Sequence, residues 1–247
     1  TRSPFHGVTT TNTTGPEKGL VPLHSRIVGC RRCTRLVEHR EKIGTQKRAS
    51  YKDWDYWAKP ITGFGDPDAC LLIVGLAPAA HGGNRTGRVF SGDSSANFLM
   101  SGLHEAGFAN QPNSDHREDG LKLFRTYLTT AVRCVPPGDK PTVQEQRDCL
   151  PFMVEEMELL PKLTTVLALG HIAFQACLKA LSQQYGETIR AKFGHGVWHE
   201  MPDCLPALVG SYHPSPRNTN TGRLTKESFM EVLFRLRDEM VLDQTGR

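Results

Sequence analysis

The side chains best suited to chemistry in this sequence are four cysteines, one aspartate and two histidines, each set among glycines and prolines. Cys30 and Cys33 form a C-x2-C hook in GCRRC, and Cys134 and Cys149 follow with fourteen residues between them. Thiolates are soft ligands, so such a hook suits tetrahedral zinc or an iron–sulfur cluster alike. Zinc ribbons usually repeat the C-x2-C unit, and the second pair here does not. Spacing alone therefore leaves two readings open, a shared four-thiolate site of either metal or ordinary buried cysteines. Cys70, Cys177 and Cys204 read as packing residues. The first residues lack a basic-then-apolar export pattern, and seven cysteines in such a chain argue against a disulfide framework.

Asp93 follows Phe90-Ser91-Gly92 and precedes a helical pattern, a position where aspartate commonly caps the helix. His213 ends an apolar run in Ser211-Tyr212-His213-Pro214, and His81 lies between Ala80 and Gly82. A lone histidine is often structural, so these positions acquire meaning only from the elements that hold them.

Four apolar runs of strand length supply those elements: Cys70–Val74, Tyr127–Val132, Thr165–Leu169 and Leu205–Val209. Helical spacing appears over Ser95–Ala106, Thr142–Leu160, Ile172–Leu181 and Thr225–Met240, with Thr142 and Glu145 forming a capping box. Strands alternating with helices predict an α/β fold, a single three-layer α/β/α domain around a central, mostly parallel four-stranded sheet. Residues 1–21 read as a flexible N-terminal arm and residues 22–247 as the domain. Within it, one short helix is expected around Arg31–Arg40, and an extra hairpin or loop over 186–204. Parallel sheets hold ligands beyond the carboxyl ends of their strands. Here those ends are Gly75–Pro78, Arg133–Pro137, Gly170-His171 and Gly210–His213, which should line one rim.

At 247 residues, with 38% hydrophobic and 23% charged residues, the chain can bury a core unaided. No apolar run approaches the roughly 20 residues of a membrane-spanning helix. The formal charge of +4 is a mild excess that permits a nucleic-acid partner without requiring one. Neither GxGxxG nor GxxxxGK[ST] occurs, which disfavours dinucleotide and P-loop NTPase chemistry.

The runs GLAPAAHGGNRTGRVFSGDSS (Gly75–Ser95) and SYHPSPRNTNTGRLT (Ser211–Thr225), with PITGFGDP and AVRCVPP in agreement, resemble the uracil-DNA glycosylase superfamily. More narrowly they resemble its family 5, or type B, enzymes. The likeness extends from GCRRC to the final helix. It implies a DNA base-excision glycosylase that flips a deaminated base from DNA and hydrolyses its N-glycosidic bond, leaving an abasic site. It also implies a [4Fe-4S] cluster held by Cys30, Cys33, Cys134 and Cys149, selecting iron–sulfur over zinc.

The resemblance assigns Asp93 to hold the attacking water and stabilise the cationic sugar, overriding the cap reading. Related branches place an acid or an amide in the first motif, where this chain has Leu76 and Ala77, so Asp93 is the available acid and His81 a second candidate. His213 is expected to hydrogen-bond a base oxygen as it gains charge, and Phe90 to stack on the flipped base. Backbone amides of Gly75, Leu76 and Ala77 would contact base or water, with Asp139 and Asn218 as further contacts. Arg85 and the loop Pro214-Ser215-Pro216-Arg217 are assigned to DNA, the prolines as a wedge.

Uracil-specific relatives carry an Asn at the second strand's end, where this chain has Thr130-Ala131-Val132. Without that reading group the pocket is expected to accept hypoxanthine as well as uracil. The expected partner is DNA bearing deaminated bases, with no membrane, the chain acting as a monomer in the cytoplasm at bacterial or archaeal nucleoid DNA. The rival readings are a non-catalytic nucleic-acid-binding module on the same fold and a redox or hydrolytic enzyme unrelated to DNA.

Overall fold

The computed structural model describes residues 17–202 and 205–242. Most of the N-terminal arm and Cys204 lie outside the described residues. Helices α1 (Glu17–Val28) and α2 (Thr34–Gln46) precede the short strand β1 (Phe64–Gly65). Then come β2 (Leu71–Gly75), α3 (Gly83–Thr86), α4 (Ser94–Glu105), β3 (Thr126–Thr130), α5 (Val143–Glu158), β4 (Thr165–Leu169) and α6 (His171–Tyr185). The chain continues through β5 (Trp198–His199), β6 (Ala207–Ser211), α7 (Pro216–Asn220) and α8 (Lys226–Leu242).

The sheet runs in the order β1-β3-β2-β4-β6-β5. The four central strands are parallel, as the apolar runs imply, and every residue in them is buried. Strands covered on both faces need no polar alternation, which is why LLIVG and TVLAL read as continuous apolar runs. The sheet has two strands more than expected. β1 and β5 are two-residue antiparallel additions at its edges, too short for an alternation pattern to mark. β5 falls within the region where an extra hairpin or loop was expected.

Side chains leave a strand alternately to either face. Leu71, Ile73, Leu167 and Val209 pack with Leu99 and Leu103 of α4 and Phe229, Leu233 and Leu236 of α8. Leu72, Val74, Val166 and Leu208 pack with Met153 and Met157 of α5 and Phe174, Cys177 and Leu181 of α6. These are the two cores of a three-layer sandwich. Helices after β2 and β6 cover one face and helices after β3 and β4 the other. Neighbouring strands thus send the chain to opposite faces, which opens a crevice at their carboxyl ends.

The N-terminal region is anchored on α5 and on the segment that follows β3. Leu23 and Ile27 of α1 are buried with Phe152 of α5. Leu36 of α2 is buried with Val132 and Cys134 after β3.

Candidate active site and cysteine centre

The segment between β2 and α4 carries most of the rim. Asp93 is the N-cap of α4, with its Oδ1 accepting from the Ala96 amide at 2.9 Å. Its Oδ2 lies against Gly82, where a β-carbon would overlap it, so glycine there is a steric requirement. Burial raises the Asp93 pKa, and amide hydrogen bonds from Ala96 and Ser95 and the charge of Arg85 oppose that rise. Asp93 therefore caps its helix with one oxygen and retains a second, desolvated one beside a glycine turn. The cap and a catalytic role are compatible.

Phe90 adopts φ of +48°, a left-handed conformation that costs a non-glycine residue roughly 1–3 kcal/mol. Its ring lies over the end of β2, where a β-carbon on Gly75 would come within 2.6 Å of Cζ. The surrounding loop holds the strain in place. Ser91 Oγ donates to the Arg88 carbonyl at 2.7 Å, and the Gly92 amide donates to the Ser114 carbonyl at 2.7 Å. Thr86 and Ser91 hydroxyls also bond each other.

Arg85 departs from its expected role at DNA. It is buried, with Nε donating to the His81 carbonyl at 2.7 Å and Nη2 to the Gly92 carbonyl at 3.0 Å. Its guanidinium sits over the rings of Tyr51 (4.0 Å) and Trp54 (4.1 Å). These contacts occupy the arginine inside the protein, where it clamps both ends of the His81–Gly92 loop. Sequence cannot distinguish such a clamp from a phosphate contact, because both ask for a cation beside glycines.

His81 accepts or donates through Nδ1 to Tyr56 Oη at 2.9 Å, and burial, then Arg48 and Arg85, lowers its pKa. Leu76 and Ala77 follow β2 and are half-buried, and amides of Ala131 and Val132 donate to the Gly75 and Leu76 carbonyls at 2.9 Å. The β3 end brings buried Ala131 and Val132 here, with no side-chain amide.

His213 follows β6, one strand beyond β4. Burial pushes its pKa below the ordinary 6.5, while the charge of Asp139 in the loop after β3 pulls the other way. A neutral imidazole is the form this environment favours. The His213 carbonyl accepts from Asn218 Nδ2 and from the Ser215 amide, each at 2.8 Å. Asn218 thus staples the loop. Pro214 is buried, Ser215 is half-buried and precedes α7, and Pro216 and Arg217 are exposed.

Cys30, Cys33, Cys134 and Cys149 line one small pocket with Leu36, Val37, Pro60 and Phe152. The hook thus joins cysteines more than a hundred residues away. Burial first, with neighbouring thiols adding, pushes Cys33, Cys134 and Cys149 up to about 11. Arg40, 2% exposed, donates from Nη1 to Cys134 Sγ at 2.9 Å and leaves Nε without a partner. Among the described residues no group of three or more such side chains is arranged to hold a single metal ion. Cys70 and Cys177 are buried elsewhere, as packing residues.

Arg40, Arg88 and the Arg133–Glu156 pair escape sequence reasoning. Arg88 pairs with Asp119, both nearly buried, and donates to Ser114 Oγ at 2.8 Å. Arg133 Nη2 donates to Glu156 Oε2 at 2.7 Å, and both are buried. Only the adjacency of Arg133 to Cys134 hinted at this. The Asn84 amide donates to the Arg40 carbonyl at 3.3 Å, linking the cysteine region to α3.

Residues 62–237 match the family model described as the uracil DNA glycosylase superfamily. The chain belongs to this superfamily. It is 48% identical over 209 residues to a type-5 uracil-DNA glycosylase of Thermus thermophilus, covering 84% of this chain and 92% of that protein. A type-5 uracil-DNA glycosylase of Pyrobaculum aerophilum is 45% identical over 212 residues, covering 85% and 89%. A type-4 uracil-DNA glycosylase of Sulfurisphaera tokodaii is similar at 21% identity over 201 residues. The α/β sandwich expected from the alternating runs is the fold this membership entails. Among the described residues no helix is long and apolar enough to cross a membrane.

Proposed function

We propose that this chain is a monofunctional DNA glycosylase of base-excision repair that hydrolyses the N-glycosidic bond of uracil, and of hypoxanthine, in DNA. The observation that carries this reading is one loop holding a desolvated carboxylate, Asp93, and a strained aromatic ring, Phe90, over a side-chain-free strand end at Gly75. A flipped base needs a flat surface and a short backbone approach, and its sugar needs a nearby anion.

In this reading the C1′–N bond breaks with its electron pair passing to the base. Asp93 Oδ2 holds a water against C1′ and accepts its proton as the oxygen adds, while its charge offsets the developing sugar cation. His213, neutral, donates a hydrogen bond to the base oxygen that gains negative charge. Phe90 stacks on the base, and the amides of Gly75–Ala77 face its edge. His81 holds the loop through Tyr56. Asp139 orients His213 electrostatically, and Pro214–Arg217 abut the DNA strand, Arg217 at a phosphate. The apolar pair Ala131 and Val132 at the β3 end gives no side-chain amide to reject a purine edge, which supports the broader substrate range.

The thiols of Cys30, Cys33, Cys134 and Cys149 would hold a [4Fe-4S] cluster. Bound there, it would supply a cross-link joining the α1–α2 turn, the loop after β3 and α5. Arg40 would offset its negative charge. The protein would act as a monomer on chromosomal DNA in the cytoplasm.

The test compares wild type and Asp93→Asn on duplexes carrying one uracil or one hypoxanthine, scored by alkaline cleavage after incubation. Release of both bases by wild type and of neither by the variant is the expected result. Tight DNA binding without any release would instead support a non-catalytic binding module on this fold. Release of uracil alone would remove hypoxanthine from the reading.

A further inference from the structure

The segment from Lys47 to Asp55 has no role in the chemistry above, yet it borders the loop that carries it. Tyr51 and Trp54 meet edge-to-face, with centroids 6.4 Å apart and planes at 83°. The Arg85 guanidinium fills the corner between them. Arg85 in turn grips the carbonyls of His81 and Gly92, so the corner is rigidly coupled to the Asp93 loop. Tyr51 also contacts the His81 ring, 6.4 Å between centroids.

Trp54 keeps 37% of its surface exposed, although an indole buried entirely over its arginine would be more stable. Arg48 and Lys52 are exposed on the same turn, and the charge of Arg48 reaches His81. Asp53 and Asp55, also exposed, nearly cancel these cations, so the patch is poorly suited to gripping a dense duplex backbone. A partly exposed indole on a rigid mount, next to a turn flanked by two exposed cations, suits a single nucleobase and its phosphate.

We propose that Trp54 is a stacking platform for an unpaired base of the DNA strand beside the flipped nucleotide, with Arg48 on an adjoining phosphate. This rests on the glycosylase reading for its location but not for its test. The platform favours single-stranded or opened DNA, because bases in an intact duplex are already stacked.

The test measures binding of undamaged single-stranded and duplex oligonucleotides to wild type, Trp54→Phe and Trp54→Leu. Leu retains apolar cover over Arg85 but has no aromatic face. The single-strand Kd should weaken about 5- to 100-fold in Trp54→Leu and change little in Trp54→Phe, with a smaller effect on duplex. Arg48→Gln should reduce the slope of log affinity against log salt by about 0.7 on single strands. Titration with oligonucleotide should quench tryptophan fluorescence of wild type more than that of Trp54→Phe, a readout that stands even if Trp54→Leu fails to fold.

Wild-type affinity in Trp54→Leu, or equal quenching in Trp54→Phe, would overturn the proposal and leave Trp54 as a cover for Arg85. Failure of wild type to release uracil would sink the glycosylase reading alone, since these measurements use undamaged strands.

Discussion

Two loops at the carboxyl ends of the sheet are built in opposite ways. The loop from Gly75 to Asp93 is held by buried side chains: Arg85 clamps it, Ser91 and Thr86 cross-link it, and its own Arg88 is paired with Asp119. The loop from His213 to Asn220 is held by hydrogen bonds between near neighbours, Asn218 and Ser215 on the His213 carbonyl and Asn218 and Thr219 on the Ser215 carbonyl, and leaves Pro216 and Arg217 in solvent. Rigid packing suits the role proposed for Asp93, a carboxylate that holds a water in line with a reacting carbon. A lightly held surface suits contact with a backbone whose position varies from site to site. The difference implies that substitutions in the first loop should cost rate or folding, and those in the second only affinity.

The sharpest test separates the two oxygens of Asp93. Asparagine caps a helix about as well as aspartate, so Asp93→Asn should change stability by no more than about 0.5 kcal/mol. The single-turnover rate of uracil release should nevertheless fall by about 10²–10⁴-fold. Equal rates would reduce Asp93 to a cap and break the comparison at its centre.

Next in size is Arg88→Leu. Asp119 is held well below the usual carboxylate range, for although burial alone would raise it, Arg88 and the amides of Leu121 and Asp115 more than compensate. Removing Arg88 strands a nearly buried carboxylate, which should cost about 3–5 kcal/mol in denaturant unfolding. A loss under about 1 kcal/mol would mean that this loop is not braced by its ion pair.

The sequence made some of this legible and some not. Apolar runs marked all four parallel strands, unbroken in LLIVG and interrupted by Thr129 and Thr130 in β3, because a strand buried on both faces leaves that imprint. Strands β1 and β5 left none, since two residues cannot show a period. Asp93 stood out through its glycine-flanked setting; its second oxygen requires the glycine at 82, and a φ of +69° accounts for the glycine at 92. Arg85 was legible as a cation but not as a clamp, because its partners are carbonyls nearby and rings more than thirty residues away. Arg40 and Glu156 were silent for the same reason. A buried charge is defined by what surrounds it, and neither its type nor its spacing carries that information.

A pH profile sharpens the contrast at intermediate size. Burial raises Asp93 and lowers His213. The proposed mechanism needs Asp93 ionised and His213 neutral, so the rate should fall with acid along a limb lying above the ordinary aspartate range. Stability carries the two shifts with opposite signs. Asp93 penalises the fold above its raised pKa and relieves it as pH falls. His213 favours the fold above 6.5 and loses that contribution as pH drops toward its lowered value. A rate limb at the usual aspartate position would show that the carboxylate is solvated in the working enzyme.

The smallest effect belongs to Arg217. It is exposed, and it is next to Asn218, whose side chain ties the loop to the His213 carbonyl while that of Arg217 stands in solvent. Arg217→Gln should leave the melting temperature in place, weaken duplex binding a few-fold regardless of sequence, and lower the salt slope by about 0.9. The effect should disappear at high salt, because screening removes what the substitution removed. Loss of rate at saturating enzyme would contradict this division of labour: the β6 loop would then be placing the sugar as well as holding the strand, and the light construction of that loop would have to be tightened by the DNA itself.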